Sequence, residues 1–241
     1  MREEILAGEA HLHVLWLARF DHVSEEELNH CYGVLLSPEE RARQKRPTLE
    51  SKRREILLTR ALARTVLSRY ADTDPRDWRF GASPNGRPFI AGKKMNFDFN
   101  LAHTAGVIVC LVAGMESVGV DVESMTRRTD LGEVASHFFA PAENDGLRGL
   151  SPEALRERFF TYWTLKEAYL KGRGLGLALP LDAFWFAVEG PAPVILFDDR
   201  ISDDPAAWQF ESFRLSEDHL CATALKSDAP VKIRLIEDSL R

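Results

Sequence analysis

Val107-Ile108-Val109-Cys110-Leu111-Val112-Ala113-Gly114-Met115-Glu116-Ser117-Val118-Gly119-Val120-Asp121-Val122-Glu123 is the stretch on which the fold turns. Its first seven residues form an unbroken apolar run. A membrane span needs about twenty, so the run reads as a buried strand. The last six alternate, with Val118, Val120 and Val122 on one face and Asp121 and Glu123 on the other. The short Gly114–Ser117 link predicts an antiparallel hairpin between the two strands. The stretch sits midway in 241 residues, with helices and short strands to either side. The fold class is therefore α+β, in two comparable halves, 1–117 and 118–241, each with a short antiparallel sheet and packed helices.

Working back from the stretch, residues 96–102 are extended, and Ser83-Pro84-Asn85-Gly86 is a reversing turn that leads into Arg87–Ile90. Asp72–Pro75 ends a basic helical region that runs to about Tyr70. A short acidic helix over 24–29 and a first strand over 11–18 precede it. His11 and His13 share one face of that strand; a metal pair there is weaker than a surface or edge position, since no third ligand lies nearby. Working forward, helices are predicted over 131–137 and 141–146. A third follows, capped by Ser151 and Pro152, and runs to Lys171 to stop at Gly172. Strands are predicted over 183–188, 194–197, 208–215, 220–224 and 231–236.

Composition excludes disorder, with 45% apolar residues and a net charge of −6. The charge is uneven. Ser37–Arg69 holds ten basic residues, among them Arg43, Arg60 and Arg64, against four acids. That segment is a solvated helix face or an anion-binding surface. Nucleic acid is a weaker reading, because the rest of the chain is strongly acidic and no helix-turn-helix, RNA-recognition or zinc-finger signature appears. Cys31, Cys110 and Cys221 are odd in number and widely spaced, which points to a reducing cytoplasm, with Cys110 a core residue. Acids stand in the first nine residues where a signal peptide would be basic and then apolar.

Asp121 and Glu123 lie about 7 Å apart along one strand face. Either they are an ordinary solvent face, or a hard cation such as Mg²⁺ relieves their repulsion. Lys166, Glu167 and Lys171 are charges on an otherwise apolar helix, and Glu167 and Lys171 share one side as an i, i+4 pair. A surface ion pair is the simple reading; convergence with Asp121 and Glu123 would make a site for phosphate chemistry. Gly172, Gly174 and Gly176 follow a helix rather than precede one, so they read as a helix exit and not a phosphate loop. Arg87 and His103 are single loop or strand residues of the kind that is more often structural.

The pairing of Gly119-Val120-Asp121-Val122-Glu123 with Trp163-Thr164-Leu165-Lys166-Glu167-Ala168-Tyr169-Leu170-Lys171 resembles the signature of 4′-phosphopantetheinyl transferases of the larger, surfactin-synthetase-activating type. Asn85-Gly86-Arg87-Pro88, Phe99–Thr104, Glu40–Arg43 and His137–Pro141 extend the resemblance over most of the chain. Ala102 replaces a frequent Ser, and Arg87 replaces a frequent Lys. The resemblance implies two similar halves related by a pseudo-twofold axis, with coenzyme A bound in the cleft between them. It implies transfer of the 4′-phosphopantetheine arm to a serine of an acyl or peptidyl carrier protein, releasing adenosine 3′,5′-bisphosphate. Carried over, Asp121, Glu123 and Glu167 hold Mg²⁺; Glu167, Lys171 and Asp121 are catalytic. Arg43, Arg60, Arg87, His103, Lys166 and Lys171 contact coenzyme A. The first half supplies the phosphate contacts, and the second supplies the metal-binding strand and catalytic helix. A cytoplasmic monomer is implied, with no nucleic-acid or membrane partner. Another Mg²⁺-dependent phosphoryl or nucleotidyl transferase, and a non-catalytic coenzyme A-binding protein, are the alternatives.

Overall fold

The computed structural model describes residues 13–20 and 23–237; His11 lies outside them. Packing divides the chain into two units. One comprises 1–81, 88–114 and 232–241, the other 82–87 and 115–231. A single cut at 117/118 is thus replaced by one near 114/115, with a hairpin tip and the C-terminal strand exchanged.

The first unit opens with β1 (His13–Arg19). Helix α1 (Glu25–His30) is started by Ser24 and Glu27 in a reciprocal capping box. A π-turn over Cys31–Leu35 follows, and Ser37 and Glu40 repeat the box at α2 (Pro38–Gln44). Pro47 separates α2 from α3 (Glu50–Leu67), so the basic region is two helices, not one. Strands β2 (Phe80–Ala82) and β3 (Pro88–Ile90) flank the expected turn, where Gly86 adopts φ +82° and its amide bonds the Ser83 carbonyl at 2.8 Å. Then come β4 (Asp98–Thr104) and β5 (Val107–Ala113). One sheet face, with Trp16, Phe99, Ile108 and Cys110, packs with Leu57, Leu58, Ala61, Leu62 and Val66 of α3.

The second unit begins with β6 (Val118–Ser124). It continues through α4 (Leu131–Phe138), α5 (Pro141–Gly146) and α6 (Pro152–Arg173). A hairpin of β7 (Phe184–Ala187) and β8 (Val194–Phe197) and a pair, β9 (Trp208–Arg214) and β10 (His219–Lys226), complete it. The C-terminal β11 (Ile233–Glu237) pairs in parallel with β1.

The sheet orders are β11-β1-β5-β4 and β6-β10-β9. In each unit a first strand precedes a long helix, an antiparallel pair follows, and the last strand of the pair inserts beside the first. The two halves are therefore built on one plan. The expected β5–β6 hairpin is absent: β5 is flanked on both sides by β1 and β4, so Gly114–Ser117 passes from one sheet to the other. β1 likewise lies between β5 and β11, so His13 is 3% exposed and not a surface residue. All three cysteines are free and buried. Among the described residues no helix is long and apolar enough to cross a membrane.

Helix α6 carries the second core through Phe159, Phe160, Leu165, Ala168, Tyr169 and Leu170. It packs on the face of β6 that holds Gly119, Asp121 and Glu123. A Cβ at Gly119 would stand 1.9 Å from the Ala168 carbonyl oxygen and 2.6 Å from the Gly172 nitrogen. Only glycine permits this approach. The helix continues past Gly172, which is needed for the Trp208 ring, 2.9 Å from a Cβ placed there. It ends at Gly174, left-handed at φ +66°. Gly119→Ala is expected to destabilise the protein by about 1–3 kcal/mol through overpacking, read from urea unfolding; an unchanged midpoint would refute the close approach.

Candidate active site

Asp121 is the centre of the second unit's polar group. It is 6% exposed, opposite Ala222 of β10, whose small side chain leaves room on that face. Its Oδ1 accepts from Lys171 Nζ at 2.6 Å. Its Oδ2 is buried and has no hydrogen-bond partner among the described residues. A buried carboxylate oxygen left so is costly unless a donor or cation serves it.

Glu123 and Glu167 lie near it. Burial, and then the Asp121 charge, raises the pKa of both carboxyls; Lys171 opposes the shift in each. Glu123 is further restrained by Arg127 Nη1 at 3.3 Å and by a hydrogen bond with the Trp163 side chain. Trp163, Glu167 and Lys171 form an i, i+4, i+8 stripe of α6 that meets Glu123 and Asp121. The acid face of β6 is thus the helix face, not the solvent face. The three carboxylates do not close into a ligand set as they stand: among the described residues no three His, Cys, Asp or Glu side chains have metal-binding spacing. Lys171 supplies the compensating charge on Asp121 instead. The unpartnered Oδ2 and the mutual repulsion of three acids nevertheless fit a hard divalent cation.

Lys166 does not join this group. It is 1% exposed, bonded to Glu143 at 2.7 Å, and donates to the Leu181 and Phe184 carbonyls. Burial lowers the ammonium's pKa and raises that of the Glu143 carboxyl, while the pair's attraction opposes both shifts. One residue along a helix is a rotation of about 100°, which carries Lys166 into the core. Glu143 was not singled out from sequence; an acid three residues after Ala140-Pro141, at a capping-box position, was its signal.

Arg87 donates to the Gly172 carbonyl at 3.2 Å and the Val118 carbonyl at 3.0 Å. It therefore ties the end of α6 to the start of β6, the two elements that bear the acids.

In the first unit, His103 Nδ1 on β4 lies 3.2 Å from Glu55 Oε1, and Lys52 also pairs with Glu55. Arg64 is fully buried on Glu40 and the Pro75 carbonyl. Arg60 lies 4.0 Å from Glu40 and over the Phe80 ring. Burial depresses its pKa against the pull of Glu40, with Arg43 and Arg64 adding to the depression. Much of the basic segment is structural: Arg54 serves the Phe20 and Val23 carbonyls, and Arg69 covers the Trp16 ring. Arg43, Lys45, Arg46 and Lys52 remain exposed.

Residues 117–224 match the model of the 4′-phosphopantetheinyl transferase superfamily, and residues 23–116 match that of the 4′-phosphopantetheinyl transferase N-terminal region. The chain is 33% identical over 176 residues to the 4′-phosphopantetheinyl transferase HetI of Nostoc sp. strain PCC 7120, covering 72% of each chain. It is 32% identical over 162 residues to the 4′-phosphopantetheinyl transferase Sfp of Bacillus subtilis, 67% of this chain and 70% of that one. A Xenopus laevis L-aminoadipate-semialdehyde dehydrogenase-phosphopantetheinyl transferase is 28% identical over 162 residues, 58% of this chain and 51% of that one. With both halves matched in order, and a relative aligned over nearly three quarters of either chain, the chain belongs to the 4′-phosphopantetheinyl transferase superfamily, in its larger, two-half type.

Proposed function

We propose that the enzyme transfers the 4′-phosphopantetheine arm of coenzyme A to a serine hydroxyl of an acyl or peptidyl carrier protein, in a Mg²⁺-dependent reaction that releases adenosine 3′,5′-bisphosphate. The observation that carries the chemistry is the buried Asp121, with one oxygen on Lys171 and the other without a partner among the described residues. Asp121, Glu123 and Glu167 would hold the cation, which when bound neutralises pyrophosphate charge as a Lewis acid.

The chain's own residues supply the rest. The serine hydroxyl must lose a proton as it attacks the β-phosphorus, and Glu167 accepts it. Lys171, held at 2.6 Å from Asp121, offsets charge growing on the leaving phosphate. His103, Arg60 and Arg43 bind coenzyme A phosphates, with Glu55 orienting His103. Arg87 holds strand and helix together. The acidic surplus outside the basic segment gives no footprint for nucleic acid. The reading includes a monomer, as the family resemblance implies, and three free, buried thiols suit a reducing cytoplasm.

Chromatography of nucleotide products tests the reading. With coenzyme A, apo-carrier and Mg²⁺, adenosine 3′,5′-bisphosphate is expected in step with holo-carrier. Turnover of ATP in place of coenzyme A would assign the site to another phosphoryl or nucleotidyl transferase.

A further inference from the structure

Asp203 stands apart from the acids of the site, yet it fixes the helix end that carries Lys171. Its side chain is 7% exposed. Oδ2 accepts from the Tyr169 hydroxyl at 2.9 Å, Arg173 Nη1 at 2.5 Å and Trp208 Nε1 at 2.9 Å. Oδ1 takes the Asp204 amide at 3.0 Å and Lys226 Nζ at 3.5 Å. Burial alone would raise the carboxyl's pKa; the bonds from Tyr169, Asp204, Arg173 and Trp208 outweigh it and hold the group ionised.

Tyr169 and Arg173 are an i, i+4 pair that brackets Lys171, and Arg173 Nη1 also donates to the Tyr169 hydroxyl at 2.7 Å. Trp208, on the same sheet as Gly119, packs against Gly172: a Cβ placed there would lie 2.9 Å from the indole and 3.5 Å from the Gly119 nitrogen. One carboxylate thus locks both the last turn of α6 and the sheet-borne ring against which this turn packs. Besides these bonds the turn is held by Arg87 at the Gly172 carbonyl and Asn85 at the Gly174 carbonyl, and the C-cap amide of Gly174 makes a single helical bond, to the Lys171 carbonyl at 3.1 Å. Helix ends without tertiary pins fray, and a shift of about 1 Å in a catalytic group can lower a rate by about a hundredfold.

We propose that Asp203 is a positioning residue for transfer, acting by fixing the last turn of α6 and with it the Lys171 ammonium over Asp121. The inference rests on the transferase reading and adds a residue to it. Arg173 is 22% exposed, so it finds water when Asp203 is removed, and the fold persists while the turn loosens.

The test is steady-state transfer to apo-carrier by wild type, Asp203→Ala, Asp203→Asn and Arg173→Met. Coenzyme A is varied, each protein is assayed well below its own unfolding midpoint, and rates are normalised to the folded fraction from circular dichroism. Asp203→Ala is expected to lower kcat by about tenfold or more, with KM for coenzyme A within about twofold. Asp203→Asn keeps an acceptor for Tyr169 and Trp208 and should recover part of kcat; Arg173→Met should lower kcat less than Asp203→Ala. An unchanged kcat in Asp203→Ala, or a rise in KM that accounts for the loss, overturns the proposal while an active wild type leaves the transferase reading standing. An inactive, folded wild type overturns both.

Discussion

Asp121→Ala is expected to lower phosphopantetheine transfer by roughly a thousandfold or more while leaving the protein folded. The size follows from what the carboxylate does: it would serve the cation and it holds Lys171, so its loss removes stabilisation of developing charge at two points. The fold tolerates the change because Lys171 is 29% exposed and regains water. Asp121 also raises the pKa of Glu123 and Glu167 by repulsion, so its removal relieves strain between charges. Asp121→Asn separates the effects, keeping the shape and losing the charge, and should be nearly as inactive. A folded Asp121→Ala enzyme with near wild-type turnover would remove the residue from the chemistry.

The largest effect on stability is expected from Lys166→Met, which removes the cation from a site where Lys166 and Glu143 are 1% and 0% exposed. It strands a buried carboxylate and the carbonyls of Leu181 and Phe184, and breaking such a pair takes about 3–5 kcal/mol. Glu143 retains the Ala140 and Phe186 amides as donors, so Lys166→Met with Glu143→Gln should recover part of the loss. Urea unfolding of the two single variants and the double variant reads this as a double-mutant cycle. A loss below about 1 kcal/mol in Lys166→Met would contradict the buried pair and return Lys166 to the list of ligand contacts.

Local signals in the sequence carried most of the elements. Ser151-Pro152 starts α6, Ser83–Gly86 turns the chain, and the apolar run over 107–113 is β5. These depend on caps, turn chemistry and periodicity within a few residues. The pairing of strands does not. A short Gly-containing link suits a hairpin equally well as a passage between sheets, and the choice was made by β1, which occupies the edge of β5 from far along the chain. The C-terminal strand beside β1, and with it the burial of His13, depends on the same distant pairing. Asp121, Glu123 and Glu167 were legible as a group because alternation on a strand and the period of a helix each place them. That Lys166, one residue before Glu167, turns into the core was not, since that rotation is set by Gly119 against Ala168. Glu143 and Asp203, the partners that anchor α6 on its other sides, are single acids in unremarkable surroundings.

The central claim is that this chain moves the phosphopantetheine arm and needs a divalent cation held by its own carboxylates to do so. Intact-mass spectrometry of a purified apo-carrier protein, incubated with the enzyme and coenzyme A, with Mg²⁺ or with EDTA, tests it most directly. The expected result is a carrier heavier by one phosphopantetheine arm with Mg²⁺, none with EDTA, and none with Asp121→Ala under either condition. A carrier that stays unmodified with folded enzyme and Mg²⁺, or that gains the arm equally in EDTA, would contradict the account.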